Sequence, residues 1–169
     1  MKAIAGLLAG LALAADPLAA QGTLVLTPDG LGPVRIGMSQ KQVIAALGGT
    51  LTGEPIENED VCVEKDSSEL EGVGFMFEGG TLTRITLAPG TDITTPRGIG
   101  PGASADAVRR AYGKSLQSEP NTYIEAPAEY LTLWTVRDQK GVRFETDEKR
   151  KVYLIHAGGA SIQYIEGCA

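Results

Sequence analysis

His156 is the single histidine of the chain, so any Ser-His or Cys-His nucleophile pair must use it. No Gly-x-Ser-x-Gly elbow accompanies it. Strand alternation puts it on a face with Val152 and Leu154, where it reads as a structural or surface residue. Gly98-Ile99-Gly100-Pro101-Gly102-Ala103 has the spacing of a dinucleotide fingerprint. That chemistry needs a buried parallel strand ahead of it and free amides facing a pyrophosphate. Here Pro101 removes an amide and the preceding Asp92–Pro96 is no core strand, so the match reads as chance. Gly113-Lys114-Ser115 ends like a P-loop, with Val108 where the first glycine belongs. Two cysteines and one histidine cannot build the usual zinc site.

Eight carboxylates fall between Glu54 and Glu71: Glu54, Glu57, Glu59, Asp60, Glu64, Asp66, Glu69 and Glu71. Two readings stand. Hard cations want several oxygens, which points to calcium, but the Asp-x-Asp-x-Asp-Gly spacing is missing. The alternative is a solvated acidic hairpin containing the short strand Val61-Cys62-Val63. Paired carboxylates could also serve glycoside hydrolysis. With one Trp and 5% aromatic residues the chain offers few platforms for sugars. No catalytic residue, no metal and no cofactor is expected.

The elements that would position such residues begin with a segment of another kind. Met1-Lys2, an apolar run from Ala3 to Ala15, and small residues up to Ala20 have the pattern of a secretory signal peptide. Cleavage is expected after Ala20, with Ala14 as the alternative, and the location is periplasmic or secreted. Cys62 and Cys168 then form an even pair in an exported chain, which favours a disulfide. The formal net charge is −6. Residues 21–95 carry four Lys/Arg against eleven Asp/Glu, and residues 96–169 carry ten against nine. An acidic chain with no basic stripe is a poor nucleic-acid binder, and its acidic half would attract a basic partner.

One pattern occurs twice, 65 positions apart: Gly37-Met38-Ser39 leading to Val43, Leu47 and Gly48, and Gly102-Ala103-Ser104 leading to Val108, Tyr112 and Gly113. Each copy predicts a short helix, Ser39–Leu47 and Ser104–Tyr112, with a serine N-cap and a glycine after the last turn. Gln42 completes a capping box in the first. Antiparallel strands follow each helix. Gly72–Phe77 and Leu82–Leu87 form a hairpin around Gly79-Gly80, and Gly141–Glu145 and Val152–His156 match it. Thr23–Thr27 and Tyr130–Arg137 read as further strands, and Ser161–Ile165 as the last. Residues 50–58 and 118–127 read as loops. The expected fold class is α+β, with one helix-plus-sheet unit over 21–93 and another over 94–169, packed into one compact tandem domain.

The Gly-Met-Ser-x-x-x-Val-x-x-x-Leu-Gly entry to a small antiparallel sheet resembles that of the BLIP-like superfamily. This group comprises tandem β-lactamase-inhibitory-protein-like units and related single-unit envelope proteins of the SmpA/OmlA (BamE) type. Two departures stand out. Inhibitor-type units each carry their own cysteine pair, whereas one pair here would link the two ends, and the acylated cysteine of the lipoproteins is absent. The resemblance implies the fold and a binding role, and it carries no partner with it.

The leading expectation is therefore a non-enzymatic, monomeric exported protein that binds another protein, an enzyme or an envelope component, through its open sheet face or loops. It is not expected to insert into a membrane after signal cleavage. Alternation places Leu131, Leu133 and Phe144 toward the helices and Tyr130, Thr132, Trp134 and Arg143 on the opposite face. Exposed Trp, Tyr and Arg side chains are what interface hot spots are made of. Trp134 could equally be the second unit's core anchor. A small-ligand or glycan module using Trp134, Tyr130 and Tyr153 is the alternative function, and a hydrolase is a third.

Overall fold

The computed structural model describes residues 24–53 and 61–168. The expected signal peptide, the start of the first strand at Thr23, and residues 54–60 of the acidic segment lie outside these residues. Among the described residues the fold is mixed α+β and mostly β, with two sheets and two short α-helices. β1 (Leu26–Thr27), β2 (Gly30–Leu31) and β3 (Val34–Arg35) make a small antiparallel meander. Helix α1 (Gln40–Leu47) precedes β4 (Leu51–Thr52), β5 (Cys62–Ser67), β6 (Val73–Glu78) and β7 (Thr81–Leu87). Helix α2 (Ala105–Tyr112) precedes β8 (Leu116–Pro120), β9 (Glu129–Val136), β10 (Lys140–Thr146) and β11 (Val152–Gly158).

Both helices begin where a serine satisfies the free amides of the first turn. Ser39 Oγ accepts from the Gln42 amide while Gln42 Oε1 accepts from the Ser39 amide at 2.9 Å, a complete capping box. Ser104 Oγ accepts from the Ala107 amide at 3.2 Å. Gly48 and Gly113 end the helices at φ 80° and 64°, a region open to glycine without penalty. The β6–β7 hairpin turns on Gly79-Gly80, both at positive φ as a two-residue turn matched to strand twist requires.

The eight strands of the main sheet are all antiparallel, in the order β4-β5-β6-β7-β11-β10-β9-β8. The last strand after each helix thus meets its counterpart at the centre, with Leu87 opposite Ile155 and Thr86 opposite His156. The helix entries are tied to those central strands alike. Gly37 and Leu82 are bonded amide to carbonyl at 2.8 Å, and so are Gly102 and Val152 at 2.7 Å. One sheet face carries Phe75, Phe77, Ile85, Leu87, Leu131, Phe144 and Ile155, all buried in one cluster with Val43 and Val108 of the helices and with the small meander. The Tyr112 and Phe144 rings meet at 5.4 Å.

Three expectations are corrected. The stretches read as loops at 50–58 and 118–127 contribute edge strands, β4 and β8. Their two and five residues are too short to show alternation, and short polar edges are how sheets avoid further pairing. Ser161–Ile165 is not a strand: β11 is already flanked by β7 and β10, so the segment that follows it has no place beside it in the sheet. Instead Gly158, at φ 143°, turns the chain over the sheet, the Gly159 amide donates to Thr83 O at 2.9 Å, and Ala160–Gln163 forms a 3₁₀ turn.

Candidate functional site

Strand alternation sends a second set of side chains to the sheet face away from the helices. The register runs Thr86, His156, Arg143, Thr132 across β7, β11, β10 and β9, with Glu145 and Tyr130 paired beside them. These groups form a connected polar layer. His156 Nδ1 lies 2.9 Å from Thr86 Oγ1, and its Nε2 lies 3.2 Å from Glu145 Oε1. A carboxylate only accepts, so Nε2 carries the proton and Nδ1 accepts from the threonine hydroxyl. Tyr153 donates to Glu145 Oε2 at 2.8 Å and accepts from Asn121 at 3.5 Å. The Arg143 guanidinium lies 3.9 Å above the centre of the Tyr130 ring.

Burial decides the electrostatics. It is the largest influence on His156 and depresses its pKa; the bond to Glu145 opposes this, and the nearby Arg84 and Arg143 add to it. Burial alone would raise Glu145, but the hydrogen bonds from His156 and Tyr153 and the Arg143 charge leave it below the ordinary carboxylate range. Tyr153 is pushed up to about 12, first by burial and then by its bond to Glu145. A hydroxyl, an imidazole and a carboxylate in line are the components of nucleophilic catalysis. Burial lowers the basicity of this imidazole, and the same chain of bonds ties β7, β11 and β10 together.

Two segments cross this layer. From one side comes the C-terminal tail after β11. Arg84 Nη1 donates to the carbonyls of Ser161 and Tyr164, each at 3.1 Å, and Nη2 pairs with Glu64. Cys168 at the tail's end is bonded to Cys62 on β5, with their Cα atoms 5.5 Å apart, which is the pairing expected from the sequence. From the other side comes the loop 121–128, where the Thr122 amide donates to the Tyr130 hydroxyl at 3.1 Å. The two segments meet, since Tyr123 donates its hydroxyl to Glu166.

Tyr130, Thr132, Trp134 and Arg143 do share the face away from the helices. The expectation that they form an exposed hot spot is corrected. Tyr130, Thr132 and Arg143 are only 3%, 4% and 4% exposed, and Trp134 is half-buried. Alternation selects a face but says nothing about what folds over it, and here the loop and the tail cover that part. The same cover removes Tyr130 as a sugar platform, and the half-buried Tyr153 has its hydroxyl engaged by Glu145 and Asn121. Glu64 of the acidic segment is paired with Arg84. Among the described residues no group of three or more His, Cys, Asp or Glu side chains is placed to hold a metal ion.

Two clefts remain where the tail lies on the sheet, and residues 164–167 line both. One, of about 530 Å³, has Thr86, His156 and Glu145 in its lining with Glu64, Asp66 and Arg84. The other, of about 580 Å³, lies beside the disulfide and is lined by Val61, Tyr123, Tyr164 and Ile165 with Glu78 and Glu166. Val61 and Tyr123 are 67% and 65% exposed, and Tyr164 and Ile165 are exposed too. Sequence reasoning passed over these four. The available signal was an aromatic in a polar loop with no alternation to bury it, and an apolar pair fixed near a disulfide-bonded end. Among the described residues no helix is long and apolar enough to cross a membrane. No known protein family, curated protein or solved structure matches the chain.

Proposed function

We propose that this protein is an exported, non-enzymatic binding protein of two tandem helix-plus-sheet units, BLIP-like in plan, that engages another protein beside the Cys62–Cys168 bond. The tandem reading is supported by the repeated serine-capped helices, by the mirrored strand order, and by the matching Gly37–Leu82 and Gly102–Val152 backbone bonds. Export is supported by the residues 1–20 and by the disulfide.

One observation carries the binding role. Five large apolar side chains are exposed among the described residues, and four of them, Val61, Tyr123, Tyr164 and Ile165, line a single cleft. Scattered apolar residues on a surface are ordinary, whereas a gathered set with polar neighbours marks an interaction site. Tyrosine is also enriched at interface hot spots. A photo-cross-linking residue at Tyr123 or Ile165, in protein exported by the native cell, should capture one discrete partner. The same residue at Val136, the fifth exposed apolar position, should not. Equal labelling at all three positions, or none at Tyr123 and Ile165, would refute the assignment.

A further inference from the structure

The chemistry of the partner follows from the charges around the cleft, taking the binding surface just proposed as given. We infer that the occupant is a loop or terminus of the partner protein bearing an apolar side chain flanked by lysine or arginine. At about 580 Å³ the cleft has room for a leucyl or phenyl side chain with its neighbouring backbone. Its walls are Val61, Tyr123, Tyr164 and Ile165, so the group that enters is apolar.

Among the described residues the two charged ones that line it, Glu78 and Glu166, are both carboxylates. Each accepts a tyrosine hydroxyl, Glu78 from Tyr164 at 3.2 Å and Glu166 from Tyr123. A phenol donates a hydrogen bond without neutralising its acceptor. Both oxyanions are thus held in place with lone pairs to spare, and no lysine or arginine among the described residues pairs with either. The adjoining cleft is mixed in charge: Glu64 is paired there with Arg84, which also donates to two tail carbonyls, and Lys65 stands among Asp66, Glu145 and Glu166, so the carboxylates outnumber the cations. A cationic side chain on the partner would meet fixed carboxylates and the exposed face of Tyr123. The surplus of acid over residues 21–95 would speed its approach. A second copy of this chain is a poorer occupant, because two bodies of net charge −6 repel.

The test uses the full exported protein and three capped, fluorescein-labelled peptides read by anisotropy. These are Lys-Leu-Phe-Leu-Arg, the acidic Glu-Leu-Phe-Leu-Glu, and the apolar-free Lys-Gly-Ser-Gly-Arg. The first should bind at least about tenfold more tightly than the other two, and less tightly as salt is raised. Glu78→Gln with Glu166→Gln should weaken it about fivefold or more, and so should Ile165→Ser. Ile165 and Glu166 are exposed and Glu78 is half-buried, and an unchanged melting curve confirms that the variants fold. Equal binding of the acidic peptide, or no loss in the Gln variant, overturns the inference. Failure of the basic apolar peptide to bind also overturns it, as does a concentration-dependent dimer abolished by Ile165→Ser, which would make a second copy the occupant. Cross-linking at Tyr123 reports separately on the surface: a captured partner without peptide binding removes only the proposed chemistry, and no capture removes the surface.

Discussion

His156 on β11 donates to Glu145 on β10 across 3.2 Å, a diagonal contact between strands in which His156 stands directly opposite Arg143. Burial, with Arg84 and Arg143 nearby, favours the neutral imidazole against the pull of Glu145, at the seam where the two halves of the sheet meet.

This gives stability a pH dependence whose sign can be worked out. Burial depresses the folded pKa of His156 below the 6.5 of the free side chain. Above about 6.5 the group is neutral folded and unfolded and contributes nothing. Below that the unfolded chain binds a proton that the folded chain refuses, so stability falls with pH until the folded pKa is reached. Glu145, held low in the fold, contributes stability above its unfolded value of 4.5 and loses it as pH falls through the folded value. Because the chain has one histidine, a fall in urea midpoint from pH 6.5 to 5.5 should be assignable to it, at up to about 1.4 kcal/mol per pH unit. His156→Gln should flatten the curve in that window even if it lowers stability throughout. An unchanged slope would show that His156 does not titrate as described.

The tail is held by contacts and by a covalent bond, and these can be separated. The disulfide spans a sequence separation of 106 residues. The chain-entropy model assigns such a loop about 4–5 kcal/mol. Cys168→Ser should lower the unfolding free energy by a large part of this and raise amide exchange over residues 160–168. A loss under about 1 kcal/mol would mean that the unfolded chain is already compact enough to keep its two ends near each other without the bond.

Local signals were legible and long-range ones were not. The Ser39 and Ser104 caps, the Gly79-Gly80 turn and the Cys62–Cys168 pair each depend on a few residues or on simple arithmetic, and the structure has all of them. The β7–β11 seam joins residues about 70 apart through ordinary strand sequence, with nothing in Thr83–Leu87 to name its partner. The site was misread for the same reason. Alternation put Tyr130, Thr132 and Arg143 on the right face, but their burial depends on a loop and a tail arriving from elsewhere in the chain.

The caps themselves are open to measurement. Ser39→Ala removes the hydroxyl that accepts from Gln42 and should cost roughly 1 kcal/mol. Ser104→Ala, which has no reciprocal glutamine bond to disturb, should cost about the same or less. Chemical denaturation of both variants checks this, and a neutral result at both positions would show that tertiary packing alone sets the helix starts.

Gly141 tests the packing of Trp134 against the sheet. Gly141 and Trp134 are opposite partners, at a shift in register between β9 and β10. A β-carbon at Gly141 would sit 2.5 Å from the Leu133 carbonyl oxygen and 2.8 Å from Cε3 of the Trp134 ring, with Ile162 of the tail at 3.2 Å. Glycine inside a strand marks such a close approach. Elsewhere, Gly→Ala in a strand would stabilise slightly by narrowing the unfolded ensemble. Here the nearest atom is backbone and cannot rotate away, so Gly141→Ala should destabilise by about 1–3 kcal/mol. The indole can move, so Trp134→Ala should relieve part of that cost and leave the part due to the Leu133 carbonyl. In a double-mutant cycle the two changes should therefore couple by at least about 0.5 kcal/mol. A shift of Trp134 fluorescence in Gly141→Ala would report the displaced ring directly. If the two substitutions are additive and the emission is unmoved, the indole does not lie over Gly141 in solution.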